Sequence, residues 1–334
     1  MDDTGLPYGL SHRVSSARTS SLATAAQVRG KAWTHPYHGL IRRTDPDPGQ
    51  PMARIHDAVE LGGAGSVLGG WACAYVSGVT AFDGFDRRLR ERPVLVFTPN
   101  GQLRPRAGFE PSRMRLRANE IQDVGEIAMT SLARAMYDEM LRAPSVREAL
   151  AVVEAGTSRV TRDARTSLGS VIALVQQHKK TRGIVAARAA LELACERSAS
   201  HGESRLRLEA LGAGAGPFLV NAPVFDPAGV LVGIVDLLDQ EAGLVLEYDG
   251  AHHCELERHS ADNAREEDLE NLNLAVVRAT GVDLTNGAEF DRRIRRGRRR
   301  GLARDRRQDR WTTDPPAWWY GSRLAKRWGV PPWR

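Results

Sequence analysis

The sequence predicts an α/β protein, with a mostly helical α+β domain preceding a domain built on a central mixed sheet flanked by helices. Three observations lead there. The chain has 334 residues, enough for two domains at roughly 100–200 residues each. Residues 218–248 hold three apolar, β-rich runs joined by turn residues, with helical patterns before and after them. The composition, 42% hydrophobic and 26% charged, is that of a globular chain. No apolar run approaches the ~18 residues that a membrane span needs.

Residues 1–30 are rich in Ser, Thr, Ala and Gly without a clean period, and read as a weakly ordered start. Residues 31–160 form the first domain. A short hairpin over Lys31–Arg43 opens it, and Pro46, Pro48 and Pro51 end that hairpin. Helices are predicted over Met52–Leu61 and Gly65–Val79, the second carrying small residues (Gly69, Gly70, Ala72, Ala74) that allow close packing. Pro93–Thr98 is a buried strand by its apolar run and its flanks. Thr130–Leu141 is a helix with Ala133, Met136, Tyr137 and Met140 on one face, and helix resumes over Val146–Ala155 after Pro144.

The second domain, residues 183–290, begins with a helical stretch near Gly183–Leu211 that the glycines of 212–216 break. Phe218–Phe225, Val230–Leu238 and Leu244–Tyr248 then form a three-stranded meander. Its turns are Asp226-Pro227-Ala228-Gly229 and Asp239–Gly243. Ala261–Leu272 is a helix, Leu274–Thr280 a strand, and Val282–Gly301 a helix that ends among arginines.

Charge is unevenly placed along the chain. The formal net charge is +6, yet Asp291–Arg334 carries 15 Lys+Arg against four Asp, which leaves the rest of the chain at −5. Residues 291–334 therefore read as a basic, Arg/Trp-rich tail. Its densest part holds Arg292, Arg293, Arg295, Arg296, Arg298, Arg299 and Arg300. A run of this density points to a polyanion, usually nucleic acid, with a solvated end as the alternative. Trp311, Trp318, Trp319, Trp328 and Trp333 suit either stacking on unpaired bases or pinning the tail to the body, and pinning is the preferred reading. Cys73, Cys195 and Cys254 are odd in number and far apart, which offers neither a disulfide framework nor a paired zinc site. The first residues lack the basic start and apolar stretch of a signal peptide, so a reduced cytoplasm is expected.

Acidic residues concentrate on the meander. Asp236 sits inside the apolar run Gly233–Leu238, where a charge is costly without a partner or ligand. Glu247 and Asp249, two apart on a strand, point to one face. In a hairpin Asp236 falls near the position opposite Leu246 or Glu247, so three carboxylates converge. Such an oxygen-rich group suits Mg²⁺ or Mn²⁺. His252 and His253 follow, able to hold or deprotonate a water, and Glu203 on the preceding helix offers a fourth carboxylate. Each acid taken singly also has a structural reading, since Tyr248-Asp249-Gly250 is a good turn at a strand end.

These residues carry a family resemblance. Glu203-Ser204-Arg205-Leu206-Arg207, Val235-Asp236, Leu246-Glu247-Tyr248-Asp249-Gly250-Ala251-His252-His253, Asp262-Asn263-Ala264-Arg265 and Val276–Thr280 together resemble the very-short-patch-repair-like endonucleases of the PD-(D/E)xK superfamily, over roughly Gly183–Leu284. The most specific string is E-x-D-G-x-x-H, with Glu247, Asp249, Gly250 and His253. The helical Glu of the family falls on Glu203 and its strand Asp on Asp236. Residues from about Met52 to Ala155 resemble, more loosely, the AbiEi-type antitoxin-like region that accompanies this domain in actinobacterial proteins.

The resemblance implies a restriction-endonuclease-like fold and metal-dependent hydrolysis of DNA phosphodiester bonds, in DNA repair or phage defence. Asp236 and Glu247 are the expected Mg²⁺ (or Mn²⁺) ligands and His253 the general base or the group that orients the attacking water, with Glu203 and Asp249 completing the catalytic group. Arg265 or Arg278 would neutralise charge on the phosphate. Asp249 stands where the superfamily motif has lysine, as in the resembling subfamily, so water activation falls on metal and histidine. The alternative is a DNA-binding regulator or antitoxin in which the nuclease fold is catalytically silent.

Overall fold

The computed structural model describes residues 11–13, 23–44, 51–86, 88–99, 101–125, 127–163, 165–250 and 256–333. The chain divides into two compact units, Met1–Arg142 with Gly169–Lys179, and Ala143–Leu168 with Lys180–Arg334. Among the described residues no helix is long and apolar enough to cross a membrane.

The first unit holds two sheets. Strands β1 (Ser11–Arg13), β2 (Trp33–Thr34) and β3 (Leu40–Arg43) form one, ordered β1-β3-β2, and the β2–β3 pair is the hairpin expected from Lys31–Arg43. The capped turn α1 (Ala25–Val28) precedes it. Helix α2 (Pro51–Gly62) follows, then β4 (Val67–Leu68) and helix α3 (Gly70–Val76). The single helix expected over Gly65–Val79 is thus a strand followed by a helix. Val67 and Leu68 pair with Phe97 and Val96, and Gly69 lies so close that an added Cβ would sit 2.5 Å from the Phe97 ring.

Strands β5 (Val94–Phe97), β6 (Phe109–Ser112), β7 (Ile121–Val124) and β8 (Ile127–Thr130) join β4 in a mixed five-stranded sheet ordered β6-β5-β4-β8-β7. The first half is therefore less helical than its sequence suggests. Helix α4 (Leu132–Arg142) brings Arg134 into the core, fully buried between Glu120 (2.6 Å) and Asp138 (2.9 Å). The chain then leaves for α5 (Val146–Thr157), which belongs to the second unit, and returns with α6 (Leu168–Gln177).

In the second unit the helical stretch expected near Gly183–Leu211 is two helices, α7 (Ile184–Leu193) and α8 (His201–Gly212). Ala194 turns extended, and Ser200 caps α8 by accepting the Glu203 N–H at 3.2 Å. Strands β9 (Phe218–Phe225), β10 (Leu231–Asp239) and β11 (Leu244–Asp249) make the antiparallel meander. Helix α9 (Leu256–Asn271) then carries the chain over to β12 (Ala275–Thr280), parallel to β11, giving the mixed sheet β12-β11-β10-β9. Helices cover both faces. Leu206 and Ala210 of α8 share one core cluster with Leu237 and Leu246, and Leu269 of α9 shares the other with Val235 and Val245.

Residues 291–334 are built into this unit. Helix α10 (Gly287–Leu302) buries Phe290, Ile294, Gly297 and Gly301 along one face. It lies as near the sheet as glycine permits, since a Cβ on Gly297 would stand 2.6 Å from Val277 Cγ2. Its arginines, with Arg304 just beyond it, then close the β12 edge. Arg293 and Arg300 each donate to a carbonyl, of Arg278 and Val276 respectively, at 2.8 Å, and Arg304 donates to Leu274. These carbonyls alternate along the strand, on the side turned away from β11.

The opposite edge is closed by the residues that follow, including the short helices α11 (Ala317–Tyr320) and α12 (Arg323–Trp328). Phe225 exchanges two backbone hydrogen bonds with Thr312, and Val220 N–H donates to the Trp333 carbonyl at 2.8 Å. Trp319 and Trp333 are buried against the sheet, which is the pinning role. An arginine-rich run is therefore an edge-capping device as well as a cationic one, because an unpaired strand edge offers a row of acceptors that a guanidinium fork satisfies.

Candidate functional site

Asp236 lies on β10, Glu247 and Asp249 on β11, and Glu203 on the first turn of α8. The register Leu237↔Leu246 sets Asp236 across from Glu247 one step further along the pair. The Tyr248 backbone N–H donates to Asp236 Oδ2 at 2.7 Å, which fixes one oxygen of that carboxyl. Burial, with the Glu203 carboxylate and then Glu247 facing it, holds the Asp236 carboxyl well above the ordinary carboxylate range. Asp236 is thus the crowded member of the group.

Glu203 is buried and largely committed to the fold. Its Oε2 accepts from the Ala199 N–H at 2.8 Å and from Asn221 Nδ2 at 2.7 Å, and burial pushes its carboxyl up. Asn221 takes a left-handed backbone (φ 46°) inside β9, which turns its amide toward α8. Sequence reasoning missed Asn221. The signal was present, because a polar residue inside Phe218–Phe225 is as anomalous as Asp236 in its own strand.

Glu247 is buried and bound by cations. Arg265 of α9 donates to its Oε1, and Arg278 of β12 stands 4.0 Å from its Oε2 while pairing with Glu266 at 3.0 Å. Arg265 and Arg278, expected as phosphate neutralisers, thus meet a strand carboxylate. Asp249 ends β11 opposite Thr280, half-buried. His253, with His252 and Cys254, lies outside the described residues. Among the described residues no three His, Cys, Asp or Glu are grouped as a metal would need.

Comparison with protein-family models, with curated proteins and with solved structures finds no match.

The seven arginines of the basic run divide by role. Arg298 pairs with Asp239 (2.9 Å) and Glu241 (2.6 Å), Arg292 with Glu289 (2.8 Å), and Arg293 with Asp283. Arg300 is held by the Val276 carbonyl. Arg295, Arg296 and Arg299 are exposed and have no partner among the described residues. The sequence showed one cationic stretch where the structure has a helix with distinct faces.

Proposed function

We propose that the second unit is a metal-dependent DNA endonuclease of the very-short-patch-repair-like, PD-(D/E)xK kind, acting at the carboxylates around Asp236. The observation that carries this reading is Asp236, an aspartate inside an apolar strand, whose carboxyl is raised by burial and by the charges of Glu203 and Glu247 from two other elements. Mutual repulsion opposes such a group unless a proton or a cation relieves it. Glu203 lies on a helix and Asp236 and Glu247 on strands of a meander followed by a helix and a strand, and this order supports the reading. A cytoplasmic DNA substrate belongs to the same reading, as does an AbiEi-type antitoxin-like role for the first unit.

The donor set is all carboxylate, the hard oxygen chemistry that Mg²⁺ or Mn²⁺ takes. Asp236 and Glu247 would hold the ion, which when bound polarises a phosphate and acidifies a water. The Tyr248 amide orients Asp236, and Arg265 orients Glu247. Glu203, held by the Ala199 N–H and the Asn221 amide, adds a third acidic group on the helix side. His253, four residues beyond Asp249, is assigned the proton of the attacking water.

The second reading, a DNA-binding regulator with a silent nuclease fold, is favoured by Arg265 already neutralising Glu247 and by Asp249 in the lysine position. Nicking of supercoiled plasmid with Mg²⁺, Mn²⁺ or EDTA separates them. Metal-dependent nicking by the wild type, lost in Asp236→Asn and Glu247→Gln with circular dichroism unchanged, is the expected result. Salt-sensitive DNA binding without nicking selects the regulator.

A further inference from the structure

A groove of about 730 Å³ runs between the β12 edge and α10, lined by Arg278, Arg293, Arg296, Arg299 and Arg300. Glu266 is its one acidic lining residue among those described, and it is paired with Arg278. Arg278, at one end of the groove, also stands 4.0 Å from Glu247, so one lining side chain reaches a carboxylate of the candidate site. The groove's charge is cancelled only in part, at Arg278 by Glu266 and at Arg293 by Asp283. Arg296 and Arg299 have no partner among the described residues, and Arg300 is held by a neutral carbonyl that leaves its charge whole.

We propose that this groove is the track for one phosphodiester strand, leading it to the carboxylates around Asp236. The inference rests on the phosphodiester reading of that site and adds where the strand lies. From Arg293 to Arg300 the helix rises about 10 Å at 1.5 Å per residue. Phosphates along one strand of a duplex rise about 3.4 Å each, so the groove spans roughly three of them. Bracing of Arg293 and Arg300 on β12 lowers the entropy lost when they meet a phosphate. An acidic peptide fits less well, because the carbonyls it would need for strand addition are already taken by Arg293, Arg300 and Arg304.

The test is binding of a fluorescent DNA 20-mer, single-stranded and duplex, followed by anisotropy from low to high salt in EDTA, where nothing is cleaved. Arg296→Gln/Arg299→Gln removes two exposed cations that hold nothing in the fold. With a slope of about 0.7–0.9 per phosphate contact, log Kd against log salt flattens by roughly 1.4–1.8, and affinity near 0.1 M salt falls roughly 25–60-fold. Arg182→Gln/Arg188→Gln, the same charge change at exposed positions on and before α7, leaves the slope unchanged. An unchanged slope in the groove variant overturns the proposal, as does an equal loss in the α7 variant or a wild type that does not bind. Slope loss confined to the groove variant, with no nicking under any metal, supports the track while the hydrolysis reading falls.

Discussion

Replacing Arg300 and Arg304 by alanine tests whether the arginines hold the sheet edge. Each gives one guanidinium hydrogen bond to a carbonyl of β12 or of the residue just before it, Val276 and Leu274 respectively. A protein hydrogen bond is worth roughly 0.5–1.5 kcal/mol net. These carbonyls lie at an open edge where water can replace the lost donor, so the low half of that range applies and the pair costs about 1–2 kcal/mol. With a urea dependence of about 2 kcal/mol per molar, the midpoint falls by about 0.5–1 M. Tryptophan emission reports on this unit, since five of the seven tryptophans lie between residues 311 and 333. Arg295→Ala/Arg299→Ala, on the same helix without partners, moves the midpoint by less than about 0.25 M. The edge variant also associates with rising concentration, because an uncovered strand edge pairs with its like. Equal midpoint losses in the two double variants would refute the edge-capping argument.

Trp333→Ala empties a buried indole site that donates to the Thr313 carbonyl at 3.0 Å and packs edge-to-face on Trp319, and costs about 3–5 kcal/mol in urea or thermal unfolding. In the first unit, burial raises the Asp138 carboxyl to about 7 against the pull of Arg134. A raised acid is favoured protonated in the fold, so the contribution of Asp138 itself is greatest below the ordinary Asp range and falls by on the order of 4 kcal/mol as pH climbs to about 7, while Glu120, which despite its burial is held low by His178 and Arg134, contributes in the opposite sense. Asp138→Asn flattens that dependence, seen by comparing urea midpoints at pH 5 and pH 8. By the same sign, Asp236→Asn raises stability at pH 8 and gains less as pH falls, while removing metal-dependent nicking. A variant that loses stability at pH 8 would show that Asp236 is satisfied in the resting fold.

The meander was legible because its strands are long, apolar and separated by turn residues, and β9 to β11 begin and end within a residue or two of the pattern. The five-stranded sheet was not, because β4 has two residues, and all four residues of β7 are exposed, so neither shows a buried alternation. Asp236 stood out through its apolar neighbours. Asn221 carries the same anomaly, but its meaning depends on a left-handed backbone and on α8 lying across from it. The arginine run misled for a physical reason. A guanidinium facing water and one facing a strand carbonyl look identical in sequence, and only the register of α10 against β12 separates them.

Closure of both sheet edges by residues 293–333 has a consequence for biosynthesis. The meander and β12 are complete by Thr280, yet the groups that seal them come up to 53 residues later. At about 5–20 residues per second, this sheet stays open at both sides for roughly 3–10 s on each ribosome. During that interval neighbouring nascent chains on one messenger present matching edges to one another. Slowing translation downstream of codon 280 should therefore raise the aggregated fraction, and a chaperone that shields β9 or β12 should lower it.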